Sequence, residues 1–499
     1  MVESLSKYGQ KSIVSHYAPY PFALMEKSPG GLSSAFLHEV QNSKSVVFLT
    51  TDEVDGLWGG SQIITADVNN SDIWESDLPL YWFGLGCWQW LHPNAHTDTA
   101  GDPEAVRMMI EMDSKCAPGS LERLLQYCEA YAPSSALSER FNECYNRVLD
   151  LVVPGSIMNW QDYFFIPSML KHADRLRSLG IFQTFHLHTT VPSSLARSAF
   201  GRDLLKAMSV VDVVYLHTDE YIRRAEQQLV SLGCNVPVLK RFDLGINHEG
   251  LEEGLLLANR NNYATTVLSC ARYSQEQRDL IDEIYRTQKT VPHRFIDIDR
   301  VDPVKGTATV VRAIKKFLEE RSAAGESLEE MKEKYRFFFI QDYLRKPAHP
   351  QNLQTGIYGR FLRDLFEQVM ERYPGIVFIS DALDSEARLL IPSLLLNAHG
   401  ITGGAQDGLN LAIMENLYVN RGEDTTIICG DGNGFAIHTK TLNLAPYGFF
   451  PRAGDVEAFT QAIHEAVILQ SRGDGTLLRK KAPLVNHVLR RRDSIIVDC

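Results

Sequence analysis

The chain has 499 residues and a formal net charge of −12. That length is too great for one hydrophobic core and predicts two domains. The acidic balance excludes a duplex or membrane-surface binder, both of which need a basic face, but leaves room for an anionic small ligand held by a few cations in one cleft.

The N-terminal stretch "MVESLSKYGQKSIVSHYAPY" has no apolar run before a cleavage-like site, so no signal peptide is expected. No segment approaches the roughly 18 apolar residues of a membrane span. Eight cysteines without CxxC pairs predict reduced thiols in a cytoplasmic protein. "SVVFLTT" (45–51) and "QIITADV" (62–68) have the pattern of buried strands, and residues 104–152 that of a mixed helical region. "SIMNWQ" (156–161), "IFQTFHLHTT" (181–190) and "VVDVVYLHT" (210–218) continue as strands, separated by helical patterns through "IPSMLKHADRLRSLG" and near 193–210. The helix "DEYIRRAEQQLVSLG" and then "VPVLKRFDLG" close the first half.

The second half repeats the alternation. "ATTVLSCARY", "HRFIDIDR", "YRFFFIQDY", "GIVFIS", "HGITGG" and "DTTIICG" are its strands. "TATVVRAIKKFLEER", "YGRFLRDLFEQVMERY", "SEARLLIPSLLLNA", "LNLAIMENLYVN" and "VEAFTQAIHEAVILQS" are its helices. Strands alternating with helices imply parallel sheets covered on both faces. The expected organisation is a first doubly wound domain over 1–250, a second over 251–474 and a tail or crossover helix over 475–499. Ligands in such folds sit beyond the carboxyl ends of the strands, so the site is expected in the crevice between halves.

"FIDIDRVDPVKG" (295–306) carries the strongest chemistry. Arg300 and Lys305 lie beyond a strand end and before a helix, and a guanidinium fork with a mobile ammonium suits a diphosphate. Asp297 and Asp299 share one face of that strand and form an Asp-x-Asp pair, the alternative being a divalent metal. The metal-free reading is preferred, because placed cations stabilise a leaving diphosphate without an ion.

"GGAQDGLNLAIMENLYVN" (403–420) puts Asp407 at a turn, with a helix predicted to begin after Gly408. The backbone N–H groups of Gly408, Leu409, Asn410 and Leu411 suit a phosphate oxygen, and Glu415 on the helix suits ribose hydroxyls. The bland alternative is a core helix capped by Asp407 or Asn410. Asp162 and His188, each near a strand end, face the crevice from the first half. The pair His186 and His188 has no third ligand nearby in sequence, which argues against zinc. Gly30 and Gly31 open a helix in "SPGGLSSAF". Trp88 and Trp90 are aromatic candidates for an acceptor pocket. Arg345, beyond "YRFFFIQDY", joins the substrate-binding candidates. "CGDGNGF" (429–435) lacks the spacing of a dinucleotide loop and reads as a turn.

Together these stretches resemble trehalose-6-phosphate synthases, glycosyltransferase family 20. "QDYFF", "LHTTVP", "RVDPVKG" and "DGLNLAIME" match that family's segments, from the glycine turn near 30 to about 420. The resemblance implies a GT-B fold, two Rossmann-like domains facing each other. It makes Asp162 an acceptor-side group, His188 a donor-sugar group, Arg300 and Lys305 diphosphate binders, and Asp407, Gly408–Leu411 and Glu415 donor contacts. It implies a retaining, metal-independent transfer from a UDP- or GDP-sugar, with no cofactor, to a small polar acceptor. Where the family has Asn-Arg after its first strand, this chain has His16 and Tyr17. The acceptor half therefore diverges, and two alternatives stay open: a pseudo-glycosyltransferase of specialised metabolism joining cyclitols, and a catalytically silent sugar-phosphate sensor. Oligomeric state is left open.

Overall fold

The computed structural model describes residues 154–161, 163, 166–188, 190–191, 195–197, 199–242, 246, 248–259, 274–301, 305–342, 353–381, 390–404 and 407–490. Before residue 154 it describes only 11–14, 46–50, 57–58 and 61–65.

The first half contains β1 (Lys11–Val14), β2 (Val46–Thr50), β3 (Leu57–Trp58), β4 (Ser61–Thr65), β5 (Ile157–Gln161), β6 (Phe182–His186), β7 (Val213–Leu216) and β8 (Val238–Arg241). These form one eight-stranded sheet in the order β3-β4-β2-β1-β5-β6-β7-β8. Every pairing is parallel except that of β3 with β4. Helices α1 (Ile166–Ser178), α2 (Ala199–Ser209) and α3 (Asp219–Ser231) cross over between its later strands, and α4 (His248–Asn259) leads away. Thr218 starts α3: its hydroxyl accepts the Tyr221 N–H at 3.0 Å, and Asp219 and Glu220 add negative charge to the first turn. Met158, Trp160, Phe185, Val214, Leu204 and Leu229 are among the side chains that close this core.

The second half contains α5 (Gln275–Thr287), β9 (His293–Arg300), α6 (Thr307–Ala323), α7 (Leu328–Lys334), β10 (Tyr335–Asp342), α8 (Leu353–Arg372), β11 (Val377–Asp381), α9 (Ile391–Leu395), β12 (His399–Thr402), α10 (Leu411–Val419), β13 (Ile427–Cys429), α11 (Gly434–Thr441), α12 (Val456–Ser471) and α13 (Thr476–Arg490). Its sheet is parallel throughout, in the order β11-β10-β9-β12-β13. Both faces are covered, one around Phe295, Phe317, Phe337 and Phe366, the other around Ile296, Phe338, Met414 and Phe435. Burial on both faces explains why "RFFFI" shows no polar alternation.

Each half is doubly wound, and together they make an α/β structure of the GT-B type. The chain leaves β9 to build one side of the second sheet and returns to build the other from β12, so the switch point lies between β9 and β12. The halves touch where α3 packs on α11, and where α4 packs on α9 and α10. Glu252 of α4 accepts from Tyr418 Oη at 2.8 Å and pairs with Arg421 at 2.5 Å.

The sequence reading differs from this fold in several described places. The joint near 246–262 contains α4, the "CGDGNGF" turn opens directly into α11, and neither α5 nor α7 has a counterpart in the expected elements. The helix expected over 385–398 is described only as the five-residue α9. The "ATTVLSCARY" strand and the helical region 104–152 lie outside the described residues.

Candidate functional site

β9 and β12 are paired only at Phe295↔His399 and Ile296↔Gly400. Beyond that point they splay, and a cavity of about 10 Å³ opens between Asp297, Asp299, Gly400, Thr402, Asn410 and Asn416, room for one water. This is the switch point, and the polar side chains gather there.

Asp299 is the centre of the arrangement. Thr402 Oγ1 donates to its Oδ2 at 2.8 Å, and Asn410 Nδ2 donates to its Oδ1 at 3.1 Å. The Lys305 ammonium lies 3.4 Å from Asp299 and donates to Asp407 Oδ2 at 2.5 Å. Asn433 Nδ2 approaches the same Asp407 oxygen at 3.4 Å. Asn410 also caps α10, because its Oδ1 accepts the Ile413 N–H at 3.1 Å. One asparagine therefore joins the helix start to the carboxylate that faces Lys305.

Burial works against the charge of Lys305, but Asp407 and Asp299 overcome it and hold the ammonium above its ordinary range. Asp299 is pushed up mainly by burial, with Lys305 opposing. Asp297 is pushed much further up, first by burial and then by the charge of Asp299. Neither Asp297 oxygen meets a donor among the described residues while both carboxylates are ionised. Of the two carboxyls, Asp297 is the one more strongly favoured to carry a proton. No group of three or more His, Cys, Asp or Glu among the described residues is placed to hold a metal ion.

Glycines set the register of the surrounding loops. Gly306, at φ +68°, starts α6, and a Cβ on Gly403 would come within 2.2 Å of the Gly306 carbonyl oxygen. A Cβ on Gly430 would come within 1.7 Å of the Gly403 oxygen. The Gly404 N–H donates to the Lys305 carbonyl at 2.8 Å, and the Gly434 N–H to the Asp407 carbonyl at 2.8 Å. The loops after β9, β12 and β13 are thereby stitched backbone to backbone, and Lys305 meets Asp407 because of it.

In the first half, His188 and His217 follow the ends of β6 and β7 with ring centroids 5.3 Å apart. His186 stacks on Tyr215 at 4.3 Å, and Phe242 stands edge-on to it at 5.1 Å. Burial, with His217 second, pushes His186 down to about 3 and His188 well below its usual range. His186 and His188 are therefore neutral at neutral pH within a wall of rings.

The structure brings Lys305, Asp407 and Asn410 together, and places Arg300, the exposed last residue of β9, near enough for its charge to act on Lys305. Glu415 is buried on α10. The helix expected after Gly408 begins at Leu411; Gly408 and Leu409 belong to the turn before it. The cause is Asn410, whose side chain takes the cap. Asp162, Gly30, Gly31, Trp88, Trp90 and Arg345 lie outside the described residues. Sequence reasoning does not single out Thr402, Asn433 or His217. Asn433 stands in the "CGDGNGF" stretch and His217 in "YLHT", where a polar residue just past an apolar strand is the available signal.

No family model matches the chain, and no curated protein matches it in sequence. Solved structures match it in fold. A UDP-forming α,α-trehalose-phosphate synthase from Burkholderia xenovorans, in complex with glucose-6-phosphate, is 14% identical with a TM-score of 0.63, covering 97% of this chain and 96% of that one. A trehalose-6-phosphate protein from E. coli bound with UDP-2-fluoro glucose is 13% identical with a TM-score of 0.60, covering 97% and 96%. The N-terminal domain of Candida albicans trehalose-6-phosphate phosphatase is 14% identical with a TM-score of 0.61, covering 97% and 95%. At such identities the shared property is the fold.

Proposed function

We propose that this chain is a retaining glycosyltransferase that moves a sugar from a nucleoside diphosphate sugar to a small hydroxylated acceptor. The observation that carries the reading is the Lys305–Asp407–Asp299–Asn410 network at the switch point of a GT-B sheet. Lys305 and Arg300 supply positive charge where a diphosphate would lie, and the N-terminus of α10 adds partial positive charge beside them. The fold neighbours bound to UDP-2-fluoro glucose and to glucose-6-phosphate support this class of donor and acceptor.

In this reading the diphosphate competes with Asp407 for the Lys305 ammonium. The freed carboxylate of Asp407 turns to sugar hydroxyls. Negative charge builds on the departing diphosphate as the glycosidic bond breaks, and Lys305, Arg300 and the helix N–H groups stabilise it. The acceptor hydroxyl attacks from the same face, and the departing diphosphate takes its proton. His188 and His186, both held neutral by burial, line the other wall.

A thermal-shift screen against UDP-, GDP- and ADP-sugars, followed by mass analysis of products with a panel of acceptors, tests the proposal. A new mass one hexosyl unit above the acceptor supports it. Stabilisation by a sugar phosphate, with none by any nucleotide, would sink it in favour of a non-catalytic binder.

A further inference from the structure

Tyr221 is buried completely, at 0% exposure, yet its hydroxyl has no hydrogen-bond partner among the described residues. A buried hydroxyl without a partner costs stability, because the hydration it gives up is not replaced. Its position is unusual as well as its state. Tyr221 sits in the first turn of α3, in the first half, and its ring belongs to that half's core. Its hydroxyl nonetheless reaches across to the second half. A Cβ built on Gly434, the first residue of α11, would stand 3.6 Å from it. Gly434 is the residue whose N–H holds the Asp407 carbonyl, and the Asp407 charge is close enough to raise the phenol's proton affinity, after burial and the opposing Arg224.

Asp407 keeps its carboxylate in place through Lys305 at 2.5 Å and, more weakly, Asn433 at 3.4 Å. If the ammonium turns to a diphosphate, the shorter of those contacts is lost. A carboxylate at that depth then needs another donor.

We propose that Tyr221 is a positioning residue: its hydroxyl donates to the Asp407 carboxylate when the donor's diphosphate draws Lys305 away, and so holds that carboxylate on the sugar hydroxyls. The inference rests on the glycosyltransferase reading and extends it to a residue on the opposite half. The first half thereby takes part in donor-sugar recognition through one hydroxyl. The diphosphate of the nucleotide alone already draws Lys305 away, so the contact contributes to nucleotide binding, and it contributes more for a nucleotide sugar, whose hydroxyls the held carboxylate meets.

The test is Tyr221→Phe, which removes one oxygen and keeps the ring. Affinities are measured by calorimetry for UDP, GDP, UDP-glucose and GDP-glucose, with melting temperature recorded in parallel. The proposal expects binding of the nucleotide sugar to weaken roughly tenfold, as for loss of one hydrogen bond to a charged group. Binding of UDP or GDP should weaken less than binding of the nucleotide sugar, and the melting temperature without ligand should hold or rise. In an Asp407→Asn background the same substitution should cost no further affinity. Equal affinity of wild type and Tyr221→Phe for the nucleotide sugar overturns the proposal while leaving the glycosyltransferase reading intact. An equal loss for nucleotide and nucleotide sugar, or a full loss in the Asp407→Asn background, overturns it too. A wild-type protein that binds none of the four probes and no ADP-sugar overturns both.

Discussion

The strand ends of the two halves are built from opposite materials. In the second half, Asp297, Asp299, Lys305 and Asp407 form a charged network at the splayed end of β9 and β12. In the first half, His186, His188, His217, Tyr215 and Phe242 form a cluster of rings in which burial holds His186 and His188 neutral. The same parallel-sheet geometry delivers both. The difference teaches that a doubly wound sheet fixes where a site lies, and the residues after each strand fix what it can hold. A charged wall suits an anion; a neutral ring wall suits an uncharged face such as a sugar ring.

Lys305→Ala should break the contrast most severely. It leaves Asp299 and Asp407 buried beside each other without their cation. Turnover should fall on the order of 10²–10³, and loss of a buried ion-pair partner costs about 3–5 kcal/mol of stability. Chemical denaturation alongside initial rates separates the two effects. Gly430→Ala comes next. Its Cβ would meet the Gly403 oxygen at 1.7 Å, so the loops must part, at roughly 3 kcal/mol or more. A variant as stable as wild type would refute the stitched-loop account. Asn410→Ala removes the cap of α10 and a donor to Asp299 together; a loss of about 1–2 kcal/mol is expected in urea unfolding.

The smallest effect at neutral pH concerns the ring wall. His186 has a folded value of about 3 against an ordinary 6.5, so only the unfolded chain takes up its proton as pH falls below 6.5. The stability it preserves is complete above 6.5 and is lost as pH falls toward 3. His186→Leu should be nearly neutral at pH 8 and should flatten the fall in melting temperature between pH 6.5 and 4. An unchanged slope would show that the ring is not the titrating group.

The fold is legible where periodicity and breaks are strong. "HRFIDIDR" and "YRFFFIQDY" are strands over nearly their whole length, because apolar β-branched and aromatic runs end at charged residues. α4 escapes the sequence reading as a short, broadly apolar helix with a weak stripe, whereas α5, with Leu280, Ile281 and Ile284 on one buried face and a capping box at Ser274, carries a signal that the sequence reading passes over. Within the site, the meeting of Lys305 with Asp407 and Asn410 lies between two stretches about a hundred positions apart. Spacing gives each stretch its chemistry, but only the switch-point topology brings them together. Tyr221 is hidden for a different reason: a tyrosine in an amphipathic helix reads as core, and its hydroxyl's surroundings come from the other half of the molecule.

The glycine contacts also govern how this protein can change over generations. A library randomised at positions 403, 430 and 434 would return almost only the parental codon, since any side chain collides with backbone rather than with a neighbour that could itself be replaced. New preference for a donor must therefore be acquired at the side chains around them, at Leu409 or Leu411 for instance, while the main-chain cradle stays as it is.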